Sequence, residues 1–399
     1  MAAVIKDLLS AKVQAIKPSG IRKYFDIAAT MGDVISLGVG EPDFPTPANV
    51  REAGVRSMTE KGTRYTSNSG LLELRQAISR YLERRFELPY DPETQVLITV
   101  GASEAIDLAL RAVVNPGDEV LVPEPTFVSY APLTIMAGGV PVPVPTYEKD
   151  DFRLTAEAIE PLISEKTKAI MLCYPNNPTG AVMEEQDLVA IAEVLRKHKI
   201  LVISDEIYAE LVYGIEHASI AALPGMYERT VVVSGFSKGF SMTGWRLGYA
   251  CGPADLIAAM RKIHQYGIMS APTTAQWAAI EALENGLHAV ERMRAEYDER
   301  RQFIVQGFRA IGLSCFEPRG AFYCFPRISD LGMTSDEFCT ALLEVERVAV
   351  VPGSAFGDSG EGFIRVSYAY SIDSIKKALE RIDRFVQKAA GERKKWQQG

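Results

Sequence analysis

Between residues 95 and 235 the spacing of hydrophobic positions changes period several times. Short runs of consecutive apolar, β-branched residues alternate with stretches in which apolar residues recur every three or four positions. Gln95–Val100 (QVLITV) predicts a strand and Ser103–Val114 (SEAIDLALRAVV) a helix. Glu119–Val122 and Thr167–Cys173 (TKAIMLC) predict further strands, and Glu184–Lys197 an amphipathic helix. Ile200–Ser204 (ILVIS) and Thr230–Ser234 (TVVVS) return to the strand pattern. Such alternation implies an α/β fold, a mostly parallel sheet covered by helices on both faces. In that architecture ligands gather outside the carboxyl ends of the strands.

After about residue 285 the pattern differs. A long charged helix is expected over Val290–Ile311, a strand near 320–325 and a terminal helix near 372–389. Together with the N-terminal segment these suggest a second, smaller α+β domain. The expected division is a large domain over 48–285 and a discontinuous small domain over 1–47 and 286–399, with a frayed tail at 390–399.

Composition narrows the classes of function. The 399 residues are 47% hydrophobic and 24% charged, with a formal net charge of −8. That charge provides no global basic field to hold nucleic acid or an anionic membrane. No apolar stretch approaches the ~20 residues a spanning helix needs, and the first residues do not read as a signal peptide. Five scattered cysteines without a CxxC pair read as reduced thiols of a cytoplasmic protein. Four dispersed histidines suggest no metal cluster.

Polar residues at the predicted strand ends carry the candidate chemistry. The first strand runs into Gly101-Ala102-Ser103, a turn that opens a helix. Its free N–H groups offer a seat for phosphate, although such a turn also serves simply as a helix start. Thr167–Cys173 runs into Tyr174-Pro175-Asn176-Asn177-Pro178-Thr179-Gly180, a rigid turn that aims Asn177. The next strand delivers Asp205 and Tyr208; a carboxylate there is costly to bury unpartnered, or caps the following helix. The last delivers Ser237 and Lys238 among small and aromatic residues, with Arg246 close behind. Desolvation there would lower the lysine's pKa toward that of a useful nucleophile. These groups together match the needs of one aromatic phosphate cofactor.

The motifs YPNNPTG (174–180), SDEIY (204–208), SGFSKGFSMTGWRLGY (234–249) and FIRVSYA (363–369) occur in order. With them the chain resembles the class I/II aminotransferases, fold-type I enzymes that depend on pyridoxal 5′-phosphate, over about residues 15–388. The resemblance implies a Schiff base at Lys238, which then shuttles the substrate proton, and Asp205 paired with the pyridine nitrogen. Asn177 and Tyr208 are implied at the ring hydroxyl, and Phe127 stacked on the ring. Arg246, Ser237 and the Gly101-Ala102-Ser103 turn are implied at the phosphate, joined by Tyr65 from a partner subunit in a homodimer with shared sites. Arg365, with Asn177 and the Gly40 amide, is implied at the substrate α-carboxylate. From its strand alone, Arg365 would be read as facing solvent.

Two departures from the family pattern stand out. Many relatives carry a phosphate-binding serine three residues before the lysine, where this chain has Gly235; Ser237 or Ser234 is the expected substitute. Relatives that prefer aspartate often carry a lysine just after the phosphate-turn glycines, where this chain has Ser103 and Glu104. The expected reaction moves an amino group from an L-amino acid to a 2-oxo acid by way of pyridoxamine phosphate. The nearest branches resemble N-acetyl-diaminopimelate and aromatic aminotransferases, with aspartate and alanine as further donors. Ile21, Arg22 and the segment around Tyr266 are the expected specificity positions. A cysteine-sulfur β-lyase is the alternative reaction on the same cofactor. A non-catalytic regulatory domain is not the expected reading, since the sequence runs almost directly into the expected small domain, with no room there for a DNA-binding module, and carries net negative charge.

Overall fold

The computed structural model describes residues 8–18, 20, 21, 27 and 30–398, with side chains up to residue 389. Its strands are β1 (Ile35–Ser36), β2 (Val96–Thr99), β3 (Glu119–Glu124), β4 (Val140–Pro145), β5 (Thr167–Cys173) and β6 (Leu201–Asp205). They continue with β7 (Thr230–Gly235), β8 (Gly248–Cys251), β9 (Tyr323–Cys324), β10 (Val348–Ala349), β11 (Val351–Pro352) and β12 (Ile364–Ser367). Seven of them form one sheet in the order β2-β8-β7-β6-β5-β3-β4. Only β8 runs against its neighbours β2 and β7.

Burial follows from the sequence of the central strands. Residues β5 to β7 are buried almost without interruption, as expected where helices cover both sheet faces. Leu121, Ile170, Leu172 and Val202 pack with Leu188, Ile191 and Leu195 of the helix Glu185–Arg196. On the other face Val120, Val122, Met171, Ile203 and Val233 pack with Ile106 and Ala109 of the helix Gly101–Val113, and with Ile257 and Met260 of the helix Ala254–Gly267.

Two strands lie outside the expected alternation. β4 reads Val-Pro-Val-Pro-Val-Pro and pairs only with β3 at the sheet edge. In a parallel pair alternate residues face the neighbour, so the valines bond to β3 while the prolines, lacking N–H groups, face outward. β8 is the short antiparallel strand GYAC, inserted between β2 and β7.

The remaining strands form a parallel pair, β1 with β10, and an antiparallel sheet in the order β11-β12-β9. The long helix spans Leu287–Ile311. The terminal helix spans Ile372–Gln398 instead of ending near 389, because Glu, Arg, Lys and Gln after Gly391 all favour helix. No helix among the described residues is long and apolar enough to cross a membrane.

Candidate active site

Register brings the strand ends together. Thr99 of β2 and Gly235 of β7 both pair with Gly248 of β8, while Cys173 of β5 pairs with Asp205 of β6. Over these ends lies a cavity of about 400 Å³, lined by Gly40, Ala102, Ser103, Phe127, Asn177, Tyr208, Ser237, Lys238, Arg246 and Arg365. Clefts of about 700 to 790 Å³ exist elsewhere, but none gathers residues from these strand ends.

The Lys238 amine donates to the Gly40 carbonyl at 2.7 Å and lies 5.9 and 5.8 Å from the ring centres of Tyr208 and Phe322. Its pKa is lowered to about 8, first by burial and then by the positive charge of Arg365. Glu41 and Asp205 oppose that shift. A lysine in this state is partly neutral near physiological pH, as a general base requires.

Asp205 is pushed the other way. Burial raises its carboxyl to about 6, against hydrogen bonds that favour the charged form. Those bonds come from the Tyr130 hydroxyl at 2.7 Å and the Ile207 N–H at 3.2 Å, both neutral donors. A cation placed beside this carboxylate would offset its desolvation.

Arg365 is buried, contrary to the solvent-facing position read from its strand alone. Its partner strands cover β12 on both sides, and the guanidinium lies between Tyr323 and Phe356, 4.6 and 4.8 Å from their ring centres. It donates to Asn177 Oδ1 at 2.9 Å and to the Gly38 carbonyl at 2.6 Å, while its Nε has no protein partner. Tyr208 and Tyr323 join their hydroxyls at 2.8 Å. Burial raises the Tyr208 pKa well above its ordinary value, with Tyr323 adding to it, so the hydroxyl keeps its proton.

The turn after β2 is built for close approach. Gly101 has φ +76°, a left-handed conformation that glycine adopts without strain. A Cβ on Gly101 would lie 2.7 Å from Arg246 Nη2, so the guanidinium sits against the turn. A Cβ on Gly248 would meet the Ala102 nitrogen at 2.5 Å. A Cβ on Gly235 would likewise come within 2.8 Å of Gly248 Cα, which gives the missing serine a steric reason. Of its expected substitutes, Ser237 lines the cavity, whereas Ser234 donates to the Glu206 carbonyl at 3.1 Å.

Not every expected position enters the cavity. Tyr65 and Tyr266 are exposed, 81 and 88%, and neither lines it. Ile21 does line it, and Arg22 lies outside the described residues. Sequence reasoning passed over Tyr130, Tyr323, Glu41 and Thr243, all in the lining. Tyr130 follows Phe127 at helical spacing, a signal that could have revealed it; the hydroxyl pairing of Tyr323 has no local signature.

These groups fit pyridoxal 5′-phosphate. The buried Asp205 lacks a cationic hydrogen-bond donor, which a pyridinium would supply. The left-handed glycine turn with Arg246 beside it suits a phosphate monoester, and Lys238 offers a partly deprotonated amine.

Residues 32–382 match the family described as aminotransferase class I and II. The chain is 57% identical over 380 residues to the Bacillus subtilis (strain 168) aminotransferase YugH, a name without a substrate, covering 95% of this chain and 98% of that one. It is 46% identical to an aspartate aminotransferase of Pyrococcus abyssi, with 94 and 97% covered. To an N-acetyl-LL-diaminopimelate aminotransferase name in Bacillus subtilis it is 43% identical, with 96 and 97% covered. Among solved structures, the aromatic aminotransferase from Pyrococcus horikoshii OT3 superposes with a TM-score of 0.88 at 45% identity, covering 92 and 99%. With sequence and architecture matched over nearly its whole length, the chain belongs to the class I and II aminotransferases.

Proposed function

We propose that this aminotransferase holds pyridoxal 5′-phosphate at Lys238 and transfers an amino group from an L-amino acid to a 2-oxo acid, with 2-oxoglutarate as acceptor. The observation that carries this is a cavity-lining lysine lowered to about 8 together with a carboxylate raised to about 6, that of Asp205, buried behind the lining and bonded to the lining residue Tyr130. When bound, the cofactor supplies an electron sink for the bonds at the amino-acid Cα.

The chain's own groups have separate tasks. Asp205 would hold the pyridine nitrogen, and Asn177 with Tyr208 the ring hydroxyl. Phe127 would cover the ring face; Ser237, Arg246 and the Ala102 and Ser103 amides would hold the phosphate. Arg365 and the Gly40 amide would bind the α-carboxylate, which fixes Cα within reach of Lys238. Lys238, as the neutral amine, takes the Cα proton and is the group that can return one. In a homodimer, the exposed Tyr65 would reach the partner's phosphate site.

Borohydride reduction of the purified yellow protein should leave the cofactor on the peptide bearing Lys238; label on another lysine defeats the assignment. Lys238→Ala should keep the cofactor but lose turnover. A donor panel of N-acetyl-diaminopimelate, aromatic amino acids, aspartate and alanine with 2-oxoglutarate then ranks the substrates. Release of pyruvate and ammonia from a cysteine conjugate, without amino transfer, would favour the β-lyase reaction instead.

A further inference from the structure

Beneath the turn after β2 lies an acid–base pair that the chemistry above does not use. Glu104 stands in the first turn of the helix Gly101–Val113, beside the proposed phosphate seat, yet does not line the cavity. Its Oε2 accepts the Val100 N–H at 2.5 Å, and its Oε1 is 2.7 Å from His264 Nδ1. Both side chains are enclosed, 12 and 0% exposed. The other histidine nitrogen, Nε2, is buried without a hydrogen-bond partner.

A carboxylate at the first turn of a helix competes with any anion seated there, because both seek the same positive end. Here two donors draw Glu104 sideways. By satisfying Val100 N–H it leaves the first-turn amides of Ala102 and Ser103, at the cavity edge, as donors for an anion. The second donor comes from far along the chain. His264 lies in the last turn of the helix Ala254–Gly267, and its carbonyl accepts the N–H groups of Ile268 at 2.8 Å and Met269 at 3.0 Å. Met269 has φ +75°, and its carbonyl accepts from the Asn68 amide at 2.8 Å. The pair therefore links the turn after β2 to a segment that packs near residue 68.

We propose that Glu104 and His264 are positioning residues, a buried brace that shapes the Gly101-Ala102-Ser103 turn and sets its affinity for a phosphate monoester. The proposal rests on that turn being the cofactor's phosphate seat. Without the imidazole, Glu104 loses one of its two donors and is free to turn toward the seat it now avoids. The brace should act on the phosphate alone, since neither residue touches the space around Lys238.

The test uses cofactor-stripped protein and two ligands, pyridoxal 5′-phosphate and pyridoxal, with affinities read by equilibrium dialysis. His264→Leu should weaken pyridoxal 5′-phosphate about tenfold or more, as expected when a buried acceptor loses its donor, while pyridoxal changes less than about twofold. His264→Asn, whose amide can take the place of Nδ1, should restore most of the affinity. Equal losses for both ligands, or no loss for either, overturn the brace. If the unaltered protein binds pyridoxal as tightly as its phosphate ester, the seat itself is wrongly placed, a separate failure.

Discussion

Lys238→Met in the cofactor-free protein keeps the length of the side chain and removes its amine. That amine sits at about 8 against an ordinary 10.5, mainly because burial opposes its charged form. Between those two values the unfolded chain binds more protons than the folded one, so stability rises with pH there. Below about pH 8 the folded protein bears the whole cost of burying the charge; above 10.5 it bears none. At about 1.4 kcal/mol per pH unit, the displacement from 10.5 to about 8 sets an upper limit of about 3.5 kcal/mol at neutral pH.

Two effects reduce that figure. Methionine cannot donate to the Gly40 carbonyl, which loses a hydrogen bond worth about 1 kcal/mol. Lys238 is also only partly enclosed, and residual solvent screens some of the cost. The variant should therefore be about 1–2 kcal/mol more stable near pH 7, with the advantage gone or reversed near pH 10.5. Urea titrations of both proteins at matched concentration and at the two pH values measure this directly. A variant no more stable near pH 7, or an advantage independent of pH, refutes the reasoning.

Arg365→Lys replaces a planar fork by a point charge, so kcat/KM should fall about 100-fold for every amino donor alike, mostly through KM. A loss confined to dicarboxylic donors would move Arg365 to the side-chain pocket. Tyr130→Phe removes a donor that favours ionised Asp205, so in the cofactor-free protein the infrared band of the protonated carboxyl should persist to higher pH, by about one unit. An unmoved titration would mean that Tyr130 does not hold the carboxylate. Gly248→Ala places a methyl 2.5 Å from backbone atoms of Gly101 and Ala102, costing about 1–3 kcal/mol in urea titrations and weakening cofactor retention. Unchanged stability and retention would show that the turn can yield.

The sequence alone determined the alternation of buried strands and amphipathic helices, because burial on both sheet faces demands continuous apolar runs that are visible locally. Thr167–Cys173 reads as a strand from its seven residues and is one. The same local logic put Asn177, Asp205 and Lys238 at strand ends; topology carried Asn177 and Lys238 into one cavity lining and left Asp205 buried behind it, bonded to the lining residue Tyr130. β4 and β8 escaped because their pairing, not their composition, makes them strands: prolines survive in β4 only at an edge, and GYAC is held by a neighbour on each side. Only the tertiary structure decided that Arg365 is buried between two aromatic rings. It alone joined Tyr130 to Asp205 across 75 residues and His264 to Glu104 across 160. The physical reason is that burial, hydrogen bonding and charge neighbours shift what each group can do, and all three are set by residues far away in the chain.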